Sequence, residues 1–166
     1  MVCTGSGGTG KTSISAAIAL EAAVRGKKTI VLTIDPARRL ANALGLKKLS
    51  SRPVKVPAAQ FRKAGLEPVF LQAMMLDTKT TFDDLVQKIA RDPGRAEAII
   101  GNRFYRAITG ALSGTHEYMA MEALYELDSQ DRYDLIVIDT PPTPNALDFL
   151  EAPQRMTSFL EGRLLK

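Results

Sequence analysis

One run of eight residues, Gly5-Ser6-Gly7-Gly8-Thr9-Gly10-Lys11-Thr12, constrains this 166-residue chain more than any other stretch. It fits the phosphate-binding spacing GxxxxGK[ST]. An apolar lead-in, Val2-Cys3-Thr4, precedes it, and an Ala/Ile-rich helical pattern follows from Ser13 to Val24. Strand, glycine loop and helix form the context that gives the motif its meaning. Glycines let successive backbone N–H groups turn inward with no Cβ in the way. Those donors, with the positive end of the following helix, cradle the oxygens of a polyphosphate. Lys11 supplies a point charge for the β- and γ-phosphates, and the Thr12 hydroxyl a ligand for Mg²⁺, which retains several waters. Ser13 is grouped with the loop, although by itself it reads as a solvent-facing first-turn position. The competing reading is a flexible glycine turn that binds nothing. It accounts for neither the strand nor the helix.

The rest of the first half alternates strand and helix signals. Arg25, Gly26 and Lys27-Lys28 close the first helix. Thr29 to Ile34 is a near-continuous β-branched and apolar run, as in a strand covered on both faces. Ala37 to Leu44 is a short helical stretch closed by Gly45. Ser50 to Ala59 carries two prolines and reads as loop, and Val69 to Leu76 as a further buried strand. From residue 78 to 130 the texture turns helical. Phe82, Leu85 and Ile89 keep helical spacing, and an Asp92-Pro93-Gly94 turn interrupts. Ala96 to Leu112 reads as one or two helices broken near Gly101. His116 to Leu127 is a last helix with Met119, Ala123 and Leu127 on one side. This block reads as a helical insertion on one end of the sheet. Leu135 to Ile138 is another buried strand, ending at Asp139, and Gly162 to Lys166 resembles a helix cut off mid-course. Alternation of this kind predicts a single α/β domain over residues 1–166, a mostly parallel sheet flanked by helices.

Composition removes several alternatives. Hydrophobic residues make up 45% and charged residues 24%, the balance of a soluble globular protein. No apolar run reaches the roughly 18 residues of a transmembrane helix, and no secretory leader is visible. The single cysteine, Cys3, forbids an internal disulfide and with the nucleotide motif points to the cytoplasm. A formal charge of +4 is modest. Its Lys and Arg doublets read as solvated faces, so no nucleic-acid partner is expected. One histidine and one cysteine give a structural zinc site no support. His116 reads as a helix-start residue, and Met74, Met75, Met119 and Met121 as core rather than ligand groove.

Two acids complete the pattern. Asp139 follows four apolar residues, the second signature of phosphate-hydrolysing folds, and would hold Mg²⁺ through a water. It also reads as a capping or turn Asp before Thr140-Pro141-Pro142. Asp35 ends the Thr29–Ile34 strand. The carboxyl ends of strands in an open α/β sheet face the ligand crevice, so loop, Asp35 and Asp139 are expected to converge. A carboxylate there can orient a water for attack on the γ-phosphate. Asp35 can equally N-cap the helix from Ala37 with Pro36 in its first turn, and both roles are compatible.

Gly5 to Thr12, the segment Thr33-Ile34-Asp35-Pro36-Ala37, and Asp139-Thr140-Pro141-Pro142-Thr143 with Leu147 and Leu150 to Pro153 together resemble the ArsA-like anion-transporting ATPases. These belong to the wider MinD/ParA class with its deviant glycine loop. The resemblance implies a P-loop NTPase fold with a helical insertion at 78–130, and an N-terminal fragment of a longer subunit. It implies ATP and Mg²⁺, with ATP and water giving ADP and phosphate. Asp35 would be the water-activating switch residue. Asp139 and Thr140 to Thr143 would be the switch that senses the γ-phosphate. It further implies dimers, homomeric or with a related ATPase subunit, whose nucleotide-driven closure is coupled to a client at the helical insertion. The location would be cytoplasmic, or peripheral at the membrane through a partner. This chain departs from the pattern at Ser6, where the class carries a lysine that reaches the partner's phosphates, and at Arg38-Arg39, where the family often has His and a small polar residue. Arg38-Arg39 therefore reads either as a solvated pair or as a compensating charge near the phosphates. No arsenite-binding cysteine cluster exists. The alternatives are a ParA/MinD-like positioning ATPase and a non-catalytic nucleotide-sensing subunit, the second favoured by Ser6.

Overall fold

A computed structural model describes residues 1–35, 38–90, 92–103, 105 and 115–140, without the side chains of 78 and 115–119. The elements run β1 (Val2–Cys3), α1 (Lys11–Val24), β2 (Thr29–Thr33), α2 (Arg39–Ala43), β3 (Val54–Lys55), α3 (Ala58–Lys63), β4 (Leu71–Met75), α4 (Thr78–Ala90), α5 (Pro93–Gly101), α6 (Thr115–Ser129) and β5 (Leu135–Asp139). The five strands lie in the order β1-β5-β2-β4-β3. Every pairing is parallel except that of β3 with β4.

Alternation along the central strands explains the layers. Val31, Ala73 and Val137 face one side and pack with Ala16, Ala19 and Ala23 of α1, Leu40 of α2 and Phe61 of α3. Ile30, Leu32, Met74 and Ile138 face the other side and pack with Ala120, Ala123 and Leu127 of α6. β2 is buried along its whole length, which is why it reads as an unbroken apolar run. Each large side chain taken from water here stabilises the fold by about 1.5–3 kcal/mol. The buried positions of α1 are all small: Ser15, Ala16, Ala19 and Ala23. A helix with such a face can lie close on the sheet, and its first turn then meets the strand ends directly.

Several local readings are corrected. Residues 50–59 are not all loop. Val54–Lys55 forms an edge strand, and α3 follows from Ala58. The two prolines fit because Pro53 precedes this edge strand and Pro57 stands at the N-cap of α3. Asp92-Pro93-Gly94 does interrupt the helical stretch, between α4 and α5, and it also starts α5. The Asp92 carboxylate accepts from the Gly94 N–H at 3.0 Å, and Pro93 takes the first helical position. Ile89 is 71% exposed and leaves the buried side that Phe82 and Leu85 keep. The helical block was expected on one end of the sheet. Its α6, with Phe82 and Leu85 of α4, instead lies across a face, because Ile30, Leu32 and Ile138 need a cover. Met74 is core on the α6 side with Met121 packed at its margin, and Met75 packs at the margin of the core on the α1 side. The His116 and Met119 side chains, most of the stretch 102–114, and everything from Pro141 onward lie outside the described residues.

Candidate nucleotide site

Strand order gathers the site. β5 lies between β1 and β2, so Asp139 stands between the glycine loop, which leaves β1, and Asp35, which leaves β2. Cys3 pairs with Asp139 in register, and Thr33 pairs with Asp139 on the opposite edge of β5. Thr140 ties β5 to β1 through its Oγ1, which donates to the Cys3 carbonyl at 2.8 Å.

The loop turns on its glycines. Gly8 and Gly10 have φ of +78° and +83°. That left-handed region costs an ordinary L residue about 1–2 kcal/mol. A Cβ at either position would meet no protein atom within 4 Å, so it would project into open space at the cradle. Gly10 is also the N-cap of α1, and no side chain caps that helix. The first-turn amides are therefore left for an anion. The Lys11 Nζ donates to the Ser6 carbonyl at 2.7 Å, and the Thr9 Oγ1 donates to the same carbonyl at 3.0 Å. These two bonds curl the loop upon itself.

Gly8, Gly10, Lys11, Thr12, Ser13, Asp35, Arg39 and Thr140 line a cavity of about 370 Å³. Thus Lys11, Thr12, Ser13 and Asp35, expected to meet from sequence, border one space. Gly5, Ser6, Gly7 and Thr9 belong to the loop but not to the cavity wall. Asp139 is only 1% exposed and sits behind the wall. Its Oδ2 accepts from the Thr33 Oγ1 at 3.1 Å, and its Oδ1 has a longer contact, 3.5 Å, with the Ser15 Oγ. Burial pushes the Asp139 carboxyl above its ordinary 3.8. Hydrogen bonds from Thr12 and Thr33 pull it back, the Asp35 charge raises it, and the Lys11 charge lowers it. A larger cleft of about 560 Å³ between α4, α6 and the segment before β3 lacks the glycine loop and its donors.

Two contributors escaped sequence reasoning. Thr33 and Ser15 look like ordinary strand and helix residues, yet both are buried against Asp139. The signal for Thr33 was a hydroxyl at the end of an apolar strand, two residues before Asp35. Arg39 is the third resident of interest. It forms an ion pair with Asp35, Nη1 to Oδ2, at 3.4 Å.

The donor set suits Mg²⁺. A hydroxyl and a carboxylate close enough to interact, beside the glycine loop and the uncapped start of α1, suit an ion that takes one or two protein oxygens and fills its shell with phosphate and water. No cluster of three or more His, Cys, Asp or Glu side chains that could hold a different metal occurs among the described residues.

Residues 1–166 match the family of anion-transporting ATPases along the whole chain. The chain belongs to the anion-transporting ATPase family. Among the relatives of this family, ATPase GET3 of Malassezia globosa is 28% identical over 99% of this chain and 44% of its own length. ATPase ASNA1 homolog 1 of Paramecium tetraurelia is 30% identical over 94% of this chain and 44% of its own. A Prosthecochloris vibrioformis protein, provisionally named an arsenical pump-driving ATPase, is 30% identical over 93% of this chain and 35% of its own length. The chain thus spans less than half the length of these anion-transporting ATPase relatives. No described helix is long and apolar enough to cross a membrane.

Proposed function

We propose that this chain is the nucleotide-hydrolysing domain of a larger ATPase, taking ATP and water to ADP and phosphate. The observation that carries the reading is convergence. The uncapped α1 terminus, Lys11, Thr12 and Asp35 border one cavity, with Asp139 directly behind it.

In this reading the amides of Gly8 to Ser13 hold the β- and γ-phosphates, and Lys11 leaves the Ser6 carbonyl to join them. Thr12 would hold Mg²⁺ directly and Asp139 through a water. The ion supplies charge neutralisation across the phosphates. Asp35 accepts a hydrogen bond from the attacking water and sets it in line with the γ-phosphorus. The water oxygen bonds to that phosphorus as the bond to the β–γ bridging oxygen breaks. ADP leaves with that oxygen; one proton of the water stays on the phosphate and the other passes to solvent. The preference for adenine rests on the relatives, which are named ATPases.

Closure of two subunits, of this chain or of this chain and a related one, would transmit the nucleotide state to a client at the 78–130 helical block. A cytoplasmic setting, free or at a membrane through a partner, fits that role. Ser6 favours a second reading, a subunit that binds ATP and signals without hydrolysing it alone. Its exposed side chain brings no cation to the loop. Phosphate release from the purified protein, alone and with its related subunit, separates the two. Turnover that disappears in Asp35→Asn supports the enzyme. Tight ATP binding with no turnover in either mixture leaves the sensing subunit.

A further inference from the structure

Among the described residues that line the cavity, two are cations, Lys11 and Arg39. Lys11 belongs to the glycine loop. Arg39 does not. It opens α2, one turn beyond Asp35.

The Arg39–Asp35 pair is unequal. The Arg39 side chain is 61% exposed and the Asp35 side chain 16%. The carboxylate is the sheltered partner, and the guanidinium is the one open to solvent. A pair so open to solvent contributes at most about 1 kcal/mol. Guanidinium groups form stronger, bidentate bonds with phosphate, and a triphosphate presents more charge than one carboxylate. An incoming polyphosphate therefore competes well for Arg39. The Asp35 Oδ2, meanwhile, serves a water best when the guanidinium has left it.

From this we propose that Arg39 exchanges partners on nucleotide binding. It leaves the ion pair with the Asp35 carboxylate and passes to the terminal phosphate of a bound nucleoside triphosphate. One movement then does two things. It places positive charge where negative charge accumulates, and it takes the guanidinium away from the carboxylate that orients water. The inference rests on the nucleotide-site reading above and adds a residue outside the glycine loop to it. Because the exchange is with the terminal phosphate of a triphosphate, it predicts that Arg39 discriminates between nucleoside triphosphate and diphosphate.

Calorimetric titration of the purified protein with the non-hydrolysable β,γ-imido analogue of ATP, and separately with ADP, tests the exchange. Arg39→Ala is expected to weaken the triphosphate about tenfold, the loss of one charge-assisted contact, and to leave ADP within about threefold. Arg39→Gln, which keeps length and polarity, should lose the same discrimination. Asp35→Asn alone should tighten the triphosphate several-fold by releasing Arg39, and most of that gain should vanish in the Asp35→Asn/Arg39→Ala double variant. Equal gains from Asp35→Asn in both backgrounds would overturn the exchange. So would wild-type discrimination in both Arg39 variants while Lys11→Ala strongly weakens binding, an outcome that leaves the nucleotide site standing. Wild-type affinity in Lys11→Ala overturns the site reading itself and the exchange with it.

Discussion

The Thr33 hydroxyl donates to the Asp139 carboxylate at 3.1 Å while accepting the Asp35 backbone N–H at 3.2 Å. One side chain thus connects the two acids of the site. The register that sets Thr33 opposite Asp139 in the β2–β5 pair fixes it there. Thr33 contributes no chemistry of its own. It spaces the Asp35 turn from the buried carboxylate and satisfies one oxygen of a group that would otherwise be costly to bury.

Asp139 sets a pH dependence of stability. Burial holds its folded pKa above 3.8. A carboxyl raised in this way contributes stability that is full below the unfolded value and is lost as pH rises through the folded one. Asp139→Asn carries no such loss. In metal-free protein its denaturant midpoint should match the wild type at acidic pH and exceed it as pH rises, levelling off above the folded pKa of Asp139. Urea titrations across this range check it. A constant offset at every pH would show that burial of the charge is not the dominant effect.

Lys11→Ala separates binding from folding. The Lys11 Nζ makes one hydrogen bond among the described residues, to the exposed Ser6 carbonyl. Removing it should change stability by less than about 0.5 kcal/mol. Losing a charged contact to phosphate should cost about 10–100-fold in ATP affinity. Calorimetry measures the second and thermal unfolding the first.

Much of this arrangement was legible in the sequence, and the illegible parts share a cause. The loop was readable because its glycines, Lys11 and Thr12 are neighbours in the chain. β2 and β5 were readable because strands buried on both faces lose all alternation. The position of β5 between β1 and β2 was not readable, since strand order depends on pairing between distant segments. For the same reason Ser15 and Thr33 passed unnoticed: their partner Asp139 lies more than 100 residues away. The short edge strand β3 was hidden because two residues beside prolines carry no period to detect. Arg39 was read as part of a doublet, either solvated or a compensating charge near the phosphates, and the ion pair with Asp35 gave it a specific place.

Ala19 links helix packing to the site. It is fully buried where α1 lies on the sheet. Ala19→Leu should cost about 1–3 kcal/mol by overpacking and should also weaken ATP binding, because lifting α1 moves its first-turn amides. Ala17→Leu, on the exposed side of the same helix, should change stability by less than about 0.5 kcal/mol and leave binding intact. Parallel unfolding and ATP-binding measurements on both variants check this. Overpacking that destabilises Ala19→Leu without changing affinity would show that the loop is positioned independently of the helix.

Ser6 tests whether a missing cation limits turnover. Its side chain is exposed, and its contribution to the loop is the backbone carbonyl that accepts from Lys11 and Thr9. A lysine there keeps that carbonyl and disturbs no packed neighbour, so Ser6→Lys should fold with wild-type stability. If subunits meet across the nucleotide, the added ammonium reaches the partner's phosphates and not its own. Phosphate release per subunit should then rise with protein concentration in Ser6→Lys and stay near the wild-type rate in dilute solution. The increase should be on the order of 10-fold or more, the usual scale for a charge placed at a developing phosphate anion. Measuring the rate over a wide range of protein concentration, beside sedimentation of the ATP-bound protein, distinguishes the outcomes. A Ser6→Lys rate that equals the wild type at every concentration, in a sample that does dimerise, would show that position 6 does not set the rate.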